Sequence, residues 1–226
     1  MCMIASGITK DFGVLACDSA AYDFGKLETS FETPKLGIAS NGQALITYVG
    51  SPLYFASMDK EKLKQPFESV CLYLKSYLKQ TRPDVEESLK EMTEDEDERK
   101  PNLCLFYMGI HKGYPTLAQF NSFLDFSPKY LWSDNGLKFS TILYGDDSNP
   151  GKQAIFKDST KFMETEAKAY EKHSPGIVGE ILTRGIYKKA DLEMNIGLKK
   201  KYAGGVVNVA MLNKDGVQPL SGFLVV

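Results

Sequence analysis

Four short apolar runs crowd the first fifty residues, and they fall into two pairs, each tied by a tight polar turn. Residues 2–8 and 12–17 flank Thr9-Lys10-Asp11, and residues 35–40 and 44–49 flank Asn41-Gly42. Apolar runs of about four to eight residues bounded by turn residues read as buried strands. Asn-Gly readily takes the positive φ angles of a two-residue hairpin turn. The chain therefore commits early to antiparallel pairing, with both faces of its first strands covered. Between the hairpins, Ala20 to Pro34 is rich in Ser, Thr and Tyr and suits an exposed loop or a short edge ribbon.

After Gly50 the period changes. Phe67, Val70, Cys71, Leu74 and Leu78 recur at helical spacing, with Lys64, Lys75 and Lys79 on the other face. Pro83 is expected to open a second helix carrying Val85, Leu89 and Met92, which runs into the acidic block Glu94 to Glu98 as a solvated loop. Strand-like runs return at 103–110, 116–120 and 139–144, separated by turns at Gly113-Tyr114-Pro115 and Asp134-Asn135-Gly136. Helices are expected over 152–172 and 175–190, and closing strands over 206–212 and 217–225. The order is strands, two helices, strands, two helices, strands. It predicts an α+β fold of one domain, residues 1–226, built as a four-layer αββα sandwich of two antiparallel sheets.

Composition narrows the function. The chain carries 27 Lys+Arg against 29 Asp+Glu, a net charge of −2, and no basic block. Nucleic-acid binding leans on clustered cations that neutralise phosphates, so no such partner is expected. No apolar stretch approaches the roughly 18 residues of a membrane span, and the N-terminus lacks the pattern of a secretory signal. The expectation is a cytoplasmic chain whose four cysteines, Cys2, Cys17, Cys71 and Cys104, are reduced thiols. Their spacing contains no metal pair, and neither a metal nor another cofactor is expected.

Cys2 is the position that suggests chemistry. A small residue after the initiator Met permits removal of Met1, which leaves an α-amine and a thiol on one residue. An α-amine with a pKa of about 8 can accept the thiol proton, so a nucleophilic thiolate forms without histidine. His111 and His173 are read as turn residues, and Cys17, Cys71 and Cys104 as small buried hydrophobes.

The order of residues after Cys2 is more specific. Gly13-Val14-Leu15-Ala16-Cys17-Asp18-Ser19 places an aspartate sixteen positions beyond Cys2; Pro34-Lys35-Leu36 starts the next strand; Tyr48-Val49-Gly50-Ser51 leads towards the first long helix. Ala203-Gly204-Gly205-Val206 opens the penultimate strand. In these residues the chain resembles the proteasome β-subunit family of N-terminal-nucleophile hydrolases, in a variant with a cysteine nucleophile.

The resemblance implies catalytic roles for Cys2, Asp18, Lys35 and Gly50. Lys35 would lower the thiol pKa, Asp18 would pair with Lys35, and the Gly50 N–H would donate to the oxyanion. It puts Ala20, Ala21, Thr33 and Leu53 near the substrate side chain, with Ser19, Asp146 and Gly204 in support. The family's Asp and Ser ahead of the glycine pair are replaced here by Lys199-Lys200-Lys201-Tyr202-Ala203.

The implied activity is thioester-forming cleavage of peptide or amide bonds, on a peptide or protein substrate, in a homo-oligomer that can be a ring. Two alternatives follow from the same residues. One is a non-catalytic structural subunit of such an assembly, and the other a stand-alone acylase or peptide ligase.

Overall fold

The computed structural model describes residues 3–22, 29–32, 35–39, 42–94, 99–143, 150–195 and 206–220. Twelve strands and three α-helices are formed among these residues. The strands are β1 (Met3–Ile8), β2 (Phe12–Asp18), β3 (Ala20–Tyr22), β4 (Thr29–Glu32), β5 (Leu36–Ala39), β6 (Ala44–Gly50), β7 (Leu103–His111), β8 (Tyr114–Asn121), β9 (Lys129–Leu131), β10 (Lys138–Leu143), β11 (Val207–Asn213) and β12 (Gly216–Pro219). The helices are α1 (Phe67–Met92), α2 (Pro150–Ala167) and α3 (Pro175–Asn195).

Ten strands form two five-stranded antiparallel sheets, in the orders β10-β1-β2-β11-β12 and β5-β6-β7-β8-β9, while β3 and β4 pair as a separate ribbon. Side-chain alternation explains why the strands read as continuous apolar runs. Ile4, Ile8, Leu15, Cys17, Ala210 and Leu212 of the first sheet meet Leu45, Val49, Cys104, Phe106, Met108 and Leu117 of the second in one core. The alternate residues Met3, Ala5, Val14, Ala16, Val207 and Val209 pack instead with Met163, Val178, Ile181 and Leu182 of α2 and α3. On the second sheet, Leu103, Leu105, Tyr107, Ala118 and Phe120 pack against Val70, Cys71, Leu74, Leu78, Val85 and Leu89 of α1. Each strand residue thus serves one of two cores according to its parity. The three cores separate a helix, two sheets and a helix pair, and this is the α+β sandwich expected from the order of elements.

The sheets approach closely where side chains are small. A methyl group on Gly13 would lie 2.5 Å from Met108 Sδ across the interface. Gly13 therefore sets the depth to which the methionine can enter.

Three local expectations change. Pro83 lies inside α1, which is one 26-residue helix and not two. Proline costs the helix an N–H bond, but Val85 and Leu89 continue the buried stripe of Leu78. Burying those two side chains, worth roughly 1.5–3 kcal/mol each, offsets the loss. The turn between β7 and β8 falls on Lys112 and Gly113, both at positive φ, so Pro115 belongs to β8. It is tolerated there because β9 pairs only with Leu117 to Gln119 and leaves that end of β8 at the sheet edge. Finally, α2 ends at Ala167, where His173 Nε2 lies 3.0 Å from the Ala167 carbonyl oxygen and caps the helix. No helix among the described residues is long and apolar enough to cross a membrane.

Candidate active site

Strand order brings together residues far apart in sequence. β2 is flanked by β1 and β11, with Ile4 opposite Cys17 on one side and Val207 opposite Asp18 on the other. Asp18, the last residue of β2, is fully buried. Lys35 stands just ahead of β5 in the other sheet and reaches across, so that its Nζ lies 3.4 Å from Asp18 Oδ1. The side chains are 6% and 0% exposed, so this is a buried ion pair spanning the two sheets. Both charges have been taken out of water, which is favourable only with close and lasting compensation.

Ser19 follows directly. Its hydroxyl accepts the Val206 N–H at 2.9 Å and ties the end of β2 to the start of β11. A supporting role for Ser19 thus has a physical form: it fixes the backbone next to Asp18.

Gly50 closes β6 with φ of +117°, a conformation that L side chains rarely adopt. A Cβ there would stand 2.2 Å from the Asn102 carbonyl oxygen. The Ser51 N–H donates to that same oxygen at 3.1 Å. Gly50 is opposite Leu103 in the β6–β7 ladder, and the Ser51 bond makes theirs a non-hydrogen-bonded pair. The Gly50 N–H consequently points away from β7. Leu53, in the 3-10 turn Pro52–Phe55, is half-buried and packs against the α1-side core.

The remaining candidates fall differently. Ala20 and Ala21 belong to β3, paired with Glu32 and Phe31 of β4. Cys2, Thr33, Asp146 and Gly204, together with the Lys199 to Ala203 stretch, lie outside the described residues. The sequence reading missed Asn102, whose backbone carbonyl receives the Ser51 N–H and excludes any side chain at Gly50. It also missed Tyr54 and Tyr77, which brace the following turn. Backbone carbonyls and long-range hydroxyl contacts leave no residue-type signature, so no pattern could have found them.

Cys17, Cys71 and Cys104 are all buried, and none of the three forms a disulfide. Desolvation pushes the Cys71 thiol up to about 12 from 9.0, while a hydrogen bond with Tyr130 pulls the other way and the charge of Glu68 adds to the rise. The folded protein therefore holds this proton more tightly than the unfolded chain. Its stabilising effect is complete below pH 9 and is lost as pH climbs towards 12. Thermal midpoints measured from pH 8 to 11 are expected to fall, and Cys71→Ala should flatten that alkaline limb. An identical slope in the variant would contradict this account.

Among the described residues no group of three or more His, Cys, Asp or Glu is placed to hold a metal ion. No protein-family model and no curated protein sequence matches the chain.

Proposed function

We propose that this chain is a proteasome-like N-terminal-nucleophile amidohydrolase that cleaves peptide bonds through Cys2. The observation that carries the reading is the buried Lys35–Asp18 pair. A lysine held away from water by an aspartate, at the end of the strand next to β1, is fixed positive charge of the kind this reading requires beside the thiol. Desolvation opposes a buried ion pair, and a site that lowers a nucleophile's pKa is one setting in which a buried cation serves a purpose. Gly50 supports the same reading, with a backbone conformation that turns an N–H out of the β6–β7 ladder.

The proposed reaction uses these groups in order. Once Met1 has been removed, the Cys2 α-amine takes the thiol proton and the sulfur attacks the substrate carbonyl carbon. The Gly50 N–H receives the resulting oxyanion, a contribution of about 3 kcal/mol for one well-placed donor. Collapse forms a thioester and expels the leaving amine, which takes the proton from the α-ammonium. Water, deprotonated by the freed amine, then hydrolyses the thioester to a carboxylic acid and restores the thiol. Lys35 stays protonated throughout and stabilises the anionic sulfur. Assembly of several copies, as in the family it resembles, would enclose such sites.

The test is intact mass and peptide turnover. Cell-purified protein is expected to lack one Met and to take a single iodoacetamide adduct at Cys2 at pH 7.5, because Cys17, Cys71 and Cys104 are buried. Cys2→Ala should reduce turnover about a thousandfold or more without altering particle size by light scattering. Retention of Met1, or an active Cys2→Ala variant, would refute the reading. A well-assembled wild type without turnover would favour the structural-subunit alternative.

A further inference from the structure

The turn after Gly50 is braced by three tyrosines, two of them on α1. Tyr54 is fully buried, and its hydroxyl donates to the Pro101 carbonyl oxygen at 2.7 Å, next to Asn102. Tyr77 of α1 donates its hydroxyl to the Tyr54 carbonyl oxygen at 2.9 Å. With its proton committed there, it receives the Ser57 hydroxyl, 3.1 Å away, as an acceptor. One turn earlier on the same helix, Tyr73 accepts the Asp59 N–H at 3.0 Å, and the rings of Tyr73 and Tyr77 stack with centroids 5.6 Å apart.

These contacts bear on the turn that follows Gly50. Tyr54 and Ser51 bond consecutive carbonyls, those of Pro101 and Asn102, and so lock the turn to the strand that faces Gly50. Tyr77 closes the chain of bonds by fixing the Tyr54 carbonyl to α1. The Gly50 N–H shares a peptide plane with the Val49 carbonyl, which faces β7 opposite Cys104, and because glycine has no side chain to hold φ at +117° the ties on the following turn complete the constraint. We propose that Tyr77 is a positioning residue which, through Tyr54 and the 51–57 turn, keeps the Gly50 N–H aimed at the oxyanion. This rests on the amidohydrolase reading and extends it to the outer helix, where neither the sequence pattern nor the ion pair points.

The variant that tests it is Tyr77→Phe, which deletes one hydroxyl and keeps the stacked ring. Two measurements are made on the whole protein: steady-state cleavage of a peptide substrate, and amide hydrogen exchange over residues 50–57. The expected result is a fall in kcat of about tenfold with KM unchanged, the size of one ordinary hydrogen bond. Exchange over 50–57 should accelerate while β1 and β2 keep their protection. A merely structural tyrosine would lower the thermal midpoint and leave kcat of the folded enzyme alone. Turnover that Cys2→Ala abolishes but Tyr77→Phe leaves intact overturns the positioning role by itself. Wild-type protein without turnover overturns the amidohydrolase reading and the positioning role with it, so the two failures are distinguishable.

Discussion

Lys35→Met is expected to destabilise the fold by about 3–5 kcal/mol, the usual result of stripping one partner from a buried ion pair. The Asp18 carboxylate, fully buried, loses the cation that lies 3.4 Å away. Methionine keeps the length of the apolar stem, so the loss reports charge and not volume. The informative companion is the double variant Asp18→Asn with Lys35→Met, in which no formal charge remains at the pair. Replacing both partners of such a pair is often close to neutral for stability. Urea titration should therefore show most of the stability regained in the double variant. On the proposed mechanism peptide turnover should stay abolished in both, because the thiol would lose the positive charge that favours its anion. Recovery of turnover together with stability would show that the pair serves folding alone.

Gly50→Ala is the second substitution with a large expected effect. Two penalties combine: the positive φ, costing about 1–3 kcal/mol for a non-glycine residue, and a Cβ forced to 2.2 Å from the Asn102 carbonyl oxygen. That oxygen is held by the Ser51 N–H, and the adjacent Pro101 carbonyl by the Tyr54 hydroxyl, so the obstacle cannot move away cheaply. We expect about 3 kcal/mol or more of lost stability and turnover reduced by at least about a hundredfold, the typical consequence of displacing one oxyanion donor. Gly42→Ala is a fitting control. Its φ is +87° but nothing lies within 4 Å of a Cβ there, so it should show the conformational penalty without the clash or the loss of turnover.

Much of the sandwich was legible because its strands obey a period of two over both faces. Turn residues placed the hairpins well: Gly42, Gly136 and Gly216 all take positive φ at or beside the expected turns. The Asp18–Lys35 pairing was implied by the family resemblance and not by the residues alone, and the two side chains do meet. What stayed hidden has physical causes. β9 has three residues, Lys129-Tyr130-Leu131, too few for alternation to register, and it exists because β8 offers a free edge. Pro83 carries the strongest local signal for a break, yet the tertiary burial of Val85 and Leu89 overrides it. The bracing of Gly50 depends on contacts 23 and 47 positions apart in sequence, which local patterns do not encode.

The shortness of β9 also matters beyond the single folded chain. An open sheet border is a template on which a foreign strand can nucleate, and long flat borders promote fibrous growth. On the β9 side of the second sheet the edge strand offers only three residues, begins with a charged lysine and follows directly on Pro128, and the uncovered end of β8 carries Pro115. Little backbone is left for an intruding chain to zip onto. This side of the molecule is thus guarded against runaway stacking when the protein is concentrated.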